Sequence, residues 1–470
     1  MESMFSMESR IVPVIETENR IIKTLIPVPE AVEIIREMRK YEPQSMSGQP
    51  TVVWDKAIGY SIFDKWGNKW IDFSSGVVVA NAGHCNPKVQ RAVLDIVEHG
   101  MMHSYCFPTE IRGKLEKRIS QLAPIADNRV FLLTTGAEAT ECAIKLTRTY
   151  GVAKHGAHKT KIVTFEDAFH GRTMGAQMAG GSPAGKSWIV NHDKDIQQVP
   201  FPNAYKYSWA DESSPTYSDD ACFAKFLESL VEKEINPNDI AGVMSETFQG
   251  GWVQLMPKGF LQRLKRFCSA HDALLVLDEV QAGFGRTGKM FGFMHSDIIP
   301  DIICCGKGIS SGLPLSCVIG RSDIMNLYGP NQMTSTHTGN PVTSSAALAS
   351  IDAIVNDGMI ENAAAMGTIC EEKLSELQKK YAKVIGRVSG YGLVWALILT
   401  RPGTKTLYKE LANTVVEKAI ERGLMLFAPV GAGATIKICP PLMINENALL
   451  EGIQVLDEAI EAALITVDAL

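Results

Sequence analysis

Residues 301–315, DIICCGKGISSGLPL, place a charged side chain where a buried strand ends. The apolar run Ile302-Ile303-Cys304-Cys305 leads directly into Gly306-Lys307-Gly308. Lysine is almost never fully buried unless it is paired. Either Lys307 marks a surface turn, or something takes up its charge. The neighbouring runs decide which sheet this strand belongs to.

From about residue 76 to 345, short apolar runs alternate with helical stretches. The runs are RVFLLTT, KIVTFED, IAGVMSE, ALLVLDE, DIICCGK and LSCVIGR. Such runs, separated by helices, predict a mostly parallel sheet covered on both faces. The fold class is therefore α/β, with a large domain over 76–345. Upstream, residues 52–73 alternate apolar and polar positions around turns at Gly59 and Gly67-Asn68, which predicts a small antiparallel meander. Residues 346–470 return to helices with a few strands, among them GLVWALILT and ATIKICPPL. Segments 1–75 and 346–470 are expected to build one smaller α+β domain from both chain ends.

The chain has 470 residues, 46% hydrophobic and 21% charged, with a net charge of −6. A chain of this length needs no disulfide or metal staple. No Lys/Arg block points to nucleic acid or a membrane surface. The ten cysteines are scattered and form no C-x-x-C pair, which fits small buried hydrophobes in a reducing compartment. The ten histidines show no metal-ligating spacing, so no metal is expected. The opening residues MESMFSMESRIVPVIETENR carry acids and lack the apolar core of a signal peptide. No window approaches the roughly 18 apolar residues of a membrane helix. A cytoplasmic protein is expected.

In a parallel sheet, ligands sit outside the carboxyl ends of the strands. FLLTTGAEATECAIKLTR runs from strand to turn to helix, with Gly136 and Ala137 where the helix begins. Backbone N–H groups there favour a phosphate, although a plain turn capped by Thr135 explains the same letters. ALLVLDEVQAGFGRTG ends its strand at Asp278-Glu279, and a carboxylate there needs a partner. The G-x-G-x-x-G of Gly283–Gly288 is not a dinucleotide fingerprint, because three residues separate it from the strand and a loop follows it. An anion-binding helix start, a carboxylate and a lysine match the phosphate, ring nitrogen and aldehyde of pyridoxal 5′-phosphate.

Seven motifs occur in one order: DFSSGVVVANAGHCNP, TTGAEATECAIKLTR, AFHGRT, LLVLDEVQAGFGRTG, CCGKGISSGLPL, STHTGNP and ICPPL. With them the chain resembles the class III pyridoxal-phosphate-dependent aminotransferases of fold type I, the 4-aminobutyrate and ornithine aminotransferase group, over roughly residues 40–460. The resemblance implies that Lys307 bonds the cofactor and moves the substrate proton, and that Asp278 keeps the ring nitrogen protonated. It implies phosphate contacts from Gly136 and Ala137, ring faces covered by Phe169 and Val280, and Gln281 near the ring hydroxyl. Thr338 is implied to reach a phosphate across a dimer interface, in a homodimer or dimer of dimers. Arg172 matches a residue holding the distal acid of the amino donor. Glu246 matches a glutamate paired with an arginine that binds the acceptor's α-carboxylate. Lys437 stands where relatives carry that arginine, and it lacks the bidentate fork. The implied reaction moves an amino group from an amino acid or ω-amino acid to a 2-oxo acid. A racemase or epimerase on the same fold is the alternative.

Overall fold

The computed structural model describes residues 4–215 and 217–468. The outermost residues of the expected terminal segments, 1–3 and 469–470, lie outside the described residues. The chain divides into two compact units, one comprising 87–357 and the other 1–86 with 358–470.

The unit over 87–357 is built on a seven-stranded sheet. In chain order its strands are β1 (Asn128–Leu133), β2 (Lys161–Phe165), β3 (Ile196–Val199), β4 (Ile240–Glu246), β5 (Leu274–Asp278), β6 (Ile302–Cys305) and β7 (Ser316–Arg321). Their order across the sheet is β1-β7-β6-β5-β4-β2-β3. β7 runs antiparallel to both β6 and β1, whereas β5, β6, β4, β2 and β3 pair parallel. Every residue of β4, β5 and β6 is buried. That burial explains why these central strands read as continuous apolar runs rather than alternating ones. The edge strand β3 is the exception. Its Gln197 and Gln198 are only half-buried, so its sequence gives no apolar run.

Helix α1 (Gly136–His155) follows β1 and packs Ala139, Ala143, Leu146 and Tyr150 into a core shared with Val276, Ile302 and Val318. Lys154 and His155 in its last turn complement the helix dipole, and Gly156 ends it at φ 95°. The helix Pro341–Asn356 packs on the helices Pro87–Glu98 and Glu110–Leu122. The unit boundary therefore falls after that helix, at 357/358, and not at 345/346 as the sequence pattern placed it. At the other end it falls at 86/87 rather than 75/76.

In the second unit, Lys56–Ile58, Ser61–Phe63 and Lys69–Asp72 form the expected antiparallel meander. Leu424–Met425 adds to Lys69–Asp72 in parallel, so residues from both chain ends share one sheet. A second sheet joins Ile385–Tyr391, Val394–Leu399 and Thr435–Ile438. All ten cysteines are free, and eight of them are buried. Among the described residues no helix is long and apolar enough to cross a membrane, and no cluster of side chains suits a metal ion.

Candidate active site

Four strand ends of the 87–357 unit open onto one cavity of about 290 Å³. β1 delivers the start of α1. Thr135 accepts from the Glu138 amide at 3.3 Å, and Glu138 accepts from the Thr135 amide at 2.9 Å, a reciprocal capping box. The box leaves the first-turn amides of Gly136 and Ala137, which have no acceptor within a helix, at the cavity wall. The capped turn of the sequence reading is present, and it leaves room for an anion at the same amides. Gly136 is required by close approach, since a Cβ there would lie 2.9 Å from Val280 Cγ1.

β5 delivers Asp278, in register with Glu246 of β4 on one side and Cys304 of β6 on the other. Asp278 is 5% exposed. Its Oδ1 accepts from the Val280 amide at 3.0 Å, and its Oδ2 pairs with His170 Nδ1 at 2.8 Å. Turns, and no helix, follow Asp278, so the glycine run 283–288 opens no dinucleotide site.

β6 delivers Lys307, which lines the same cavity and opens a short 3₁₀ turn. Its φ is 45°, in the sparsely populated left-handed region. Strain of this kind concentrates where a side chain must be aimed. Gly306 lets the strand end sit close to the opposite wall, for a Cβ there would be 3.2 Å from Val280 Cγ1.

The cavity is electrostatically coupled. Burial alone would strip His170 of its proton. The bond to Asp278 and the charges of Asp278 and Glu246 outweigh it and raise the imidazole pKa above its ordinary value. Burial pushes the Glu246 carboxyl up to about 7, against the His170 charge and two backbone donors and with the help of Asp278. Glu279, fully buried, is likewise pushed up to about 7, although Thr247 and the Gly292 and Phe293 amides donate to it. His170 Nε2 is buried and has no hydrogen-bond partner among the described residues. No catalytic role was assigned to His170 from the sequence. Its signal was adjacency to Phe169 in AFHGRT, which does not reveal a carboxylate 108 residues away.

Phe169, Val280 and Gln281 line the cavity with Gly136, Ala137, Asp278 and Lys307. Four further candidates are placed as follows. Glu246 lines the cavity, but its oxygens accept from the Phe169 amide at 3.0 Å and the Gly250 amide at 2.9 Å rather than from an arginine. Arg172 is exposed and lies over the Phe169 ring, 5.5 Å from its centroid. Thr338 is 8% exposed and its hydroxyl donates to the Leu132 carbonyl of its own chain, whereas Thr336, two residues earlier, is exposed. Lys437 belongs to the other unit, buried in a strand and in register with Ala396.

These groups fit pyridoxal 5′-phosphate. The glycine-lined helix start suits its phosphate, the buried Asp278 its ring nitrogen, and Lys307 its aldehyde. Residues 44–460 match the family model for class-III aminotransferases. The chain is 33% identical to a 4-aminobutyrate aminotransferase of Mycobacterium leprae, over 93% of this chain and 97% of that one. It is 30% identical to a leucine/methionine racemase of Thermococcus litoralis, over 91% and 95%. Among solved structures it resembles a Bacillus anthracis aminotransferase with a TM-score of 0.82 at 26% identity, covering 92% of this chain and 99% of that one. A strand-end cavity of this chemistry and a family match across most of the sequence agree: the chain belongs to the class-III aminotransferases.

Proposed function

We propose that this aminotransferase takes an amino group from a donor whose amine is remote from an acid group, such as 4-aminobutyrate, ornithine, β-alanine or taurine, and delivers it to a 2-oxo acid. The observation that carries the reading is the convergence of Gly136, Ala137, Asp278 and Lys307 on one cavity from three strand ends. Similarity to 4-aminobutyrate and 5-aminovalerate aminotransferases supports the donor class.

Pyridoxal 5′-phosphate, the family's cofactor, supplies when bound an aldehyde that takes up the amino group and a ring that withdraws electrons from it. In this chain the Gly136 and Ala137 amides would hold the phosphate. Asp278, fixed by His170 and the Val280 amide, would keep a proton on the ring nitrogen. Phe169 and Val280 would cover the ring, and Gln281 would meet its hydroxyl. Lys307 would hold the aldehyde end, and its Nζ is the base in the cavity that would carry the donor's proton. The enzyme acts in the cytoplasm as a homodimer or dimer of dimers. A contact reaching the partner's phosphate then falls to the exposed Thr336, because Thr338 spends its hydroxyl inside its own chain.

Racemisation or epimerisation is the second reading, favoured by similarity to a leucine/methionine racemase and an isoleucine 2-epimerase. A donor panel read by conversion of the pyridoxal to the pyridoxamine absorption tests the main reading. Loss of optical activity of an amino acid without any keto acid, and no such conversion, would establish the second.

A further inference from the structure

Glu246 is a buried carboxylate at the end of β4, 4% exposed, facing a cavity whose chemistry does not call for a second acid. Its two oxygens are held by two backbone donors from different segments. Oε2 accepts from the Phe169 amide, 77 residues away in sequence, and Oε1 from the Gly250 amide in the turn after β4. One of those residues lines the cavity, and the other abuts a residue that does. Phe169 carries the ring that lines it. Gly250 is the surface on which the Gln281 carboxamide rests, so closely that a Cβ at 250 would fall 2.2 Å from Gln281 Nε2. Charge-assisted bonds to backbone amides are the stronger kind and are directional.

We propose that Glu246 is a positioning residue. Its carboxylate fastens the Phe169 amide to the Gly250 amide, and so sets both the Phe169 ring and the Gln281 side chain at the cavity. This rests on the reading that the cavity holds pyridoxal 5′-phosphate, and it removes Glu246 from the substrate-binding role. The carboxylate acts on the cofactor's two neighbours before any substrate arrives. Glu246→Gln is nearly isosteric but turns an NH₂ group toward one of the two amides, donor against donor, so one fastening is lost.

The test uses full-length protein titrated with pyridoxal 5′-phosphate and no substrate. The dissociation constant and the visible circular dichroism of the bound cofactor are the readouts. Glu246→Gln should weaken cofactor binding about tenfold and reduce the dichroism, since a hydrogen bond to a charged group is lost. It should also slow both half-reactions by a similar factor. Gly250→Ala leaves Glu246 intact but displaces Gln281, and it should reduce the dichroism too. Unchanged affinity and dichroism in Glu246→Gln, with a raised KM for the keto acid alone, would overturn the proposal in favour of a substrate contact. If Glu246→Gln does not fold, unchanged affinity and dichroism in Gly250→Ala overturn it. Failure of the unmodified protein to bind the cofactor would instead refute the underlying reading, a result separable from both.

Discussion

Asp278 shows how a single residue acquires its role from position rather than type. It ends a fully buried strand, yet each oxygen already has a partner, His170 on one and the Val280 amide on the other. A carboxylate oxygen has lone pairs to spare, so Asp278 can also accept from a ring N–H while its orientation is fixed. Asp278→Asn keeps the shape and loses the charge. Truncating one member of a buried charge pair costs about 2–5 kcal/mol, some 30- to 5,000-fold in rate. We expect kcat to fall by that much, measured under saturating cofactor, and a loss below tenfold would mean that Asp278 does not face the ring nitrogen. Residues of this kind were legible in the sequence, because Lys307, Asp278 and Gly136 each stand at a strand end. Glu246 was named from the sequence as the partner of an arginine, but its bonds to the Phe169 and Gly250 amides were not legible there, and neither was the pairing of His170 with Asp278. No local pattern encodes the bonds that Phe169 and Asp278 make from distant segments.

At the scale of elements, the start of α1 combines a capping box with the close approach of Val280. The box satisfies two amides, and the glycine at 136 lets the strand end after β5 pass over the first turn. Gly136→Ala should push Val280 or the helix start by several tenths of an ångström. Overpacking of this sort costs about 1–3 kcal/mol. The expected result is a cofactor dissociation constant raised roughly tenfold with little loss of secondary structure, read by titration and far-ultraviolet circular dichroism. An unchanged constant would show that the first turn does not hold the phosphate. Central elements were readable because β4, β5 and β6 are buried on both faces and therefore apolar throughout. The edge strand β3 was missed for the opposite reason, since its two glutamines face partly outward. The reversal of β7 was equally hidden, because an apolar run carries no sign of direction.

For the whole molecule, the buried acids give folding a pH dependence. Glu246 and Glu279 have their pKa raised from 4.5 to about 7, chiefly by burial, so the folded state binds more protons than the unfolded state between those values. His170 is also raised, its burial outweighed by Asp278 and Glu246. For groups raised in this way, the stabilisation is complete below the unfolded pKa and is lost as pH rises through the folded one. Carboxylates held low by partners, such as Asp193, Asp272 and Glu451, act oppositely, but their effect is complete above about pH 5. The thermal midpoint of the cofactor-free protein should therefore fall between about pH 5.5 and about pH 8.5. A midpoint rising across that window would show that these acids are not buried as described. The unit boundaries, too, become visible only in three dimensions, where the helix Pro341–Asn356 joins the 87–357 unit by packing. Lys307, aimed by a strained turn at the end of β6, is the residue we expect to bond the cofactor. Borohydride reduction of the cofactor-loaded protein, followed by digestion and mass spectrometry, tests it directly. The pyridoxyl mass should appear on the peptide containing Lys307 and vanish in Lys307→Ala, whereas a pyridoxyl group on another lysine, or none at all, would contradict it.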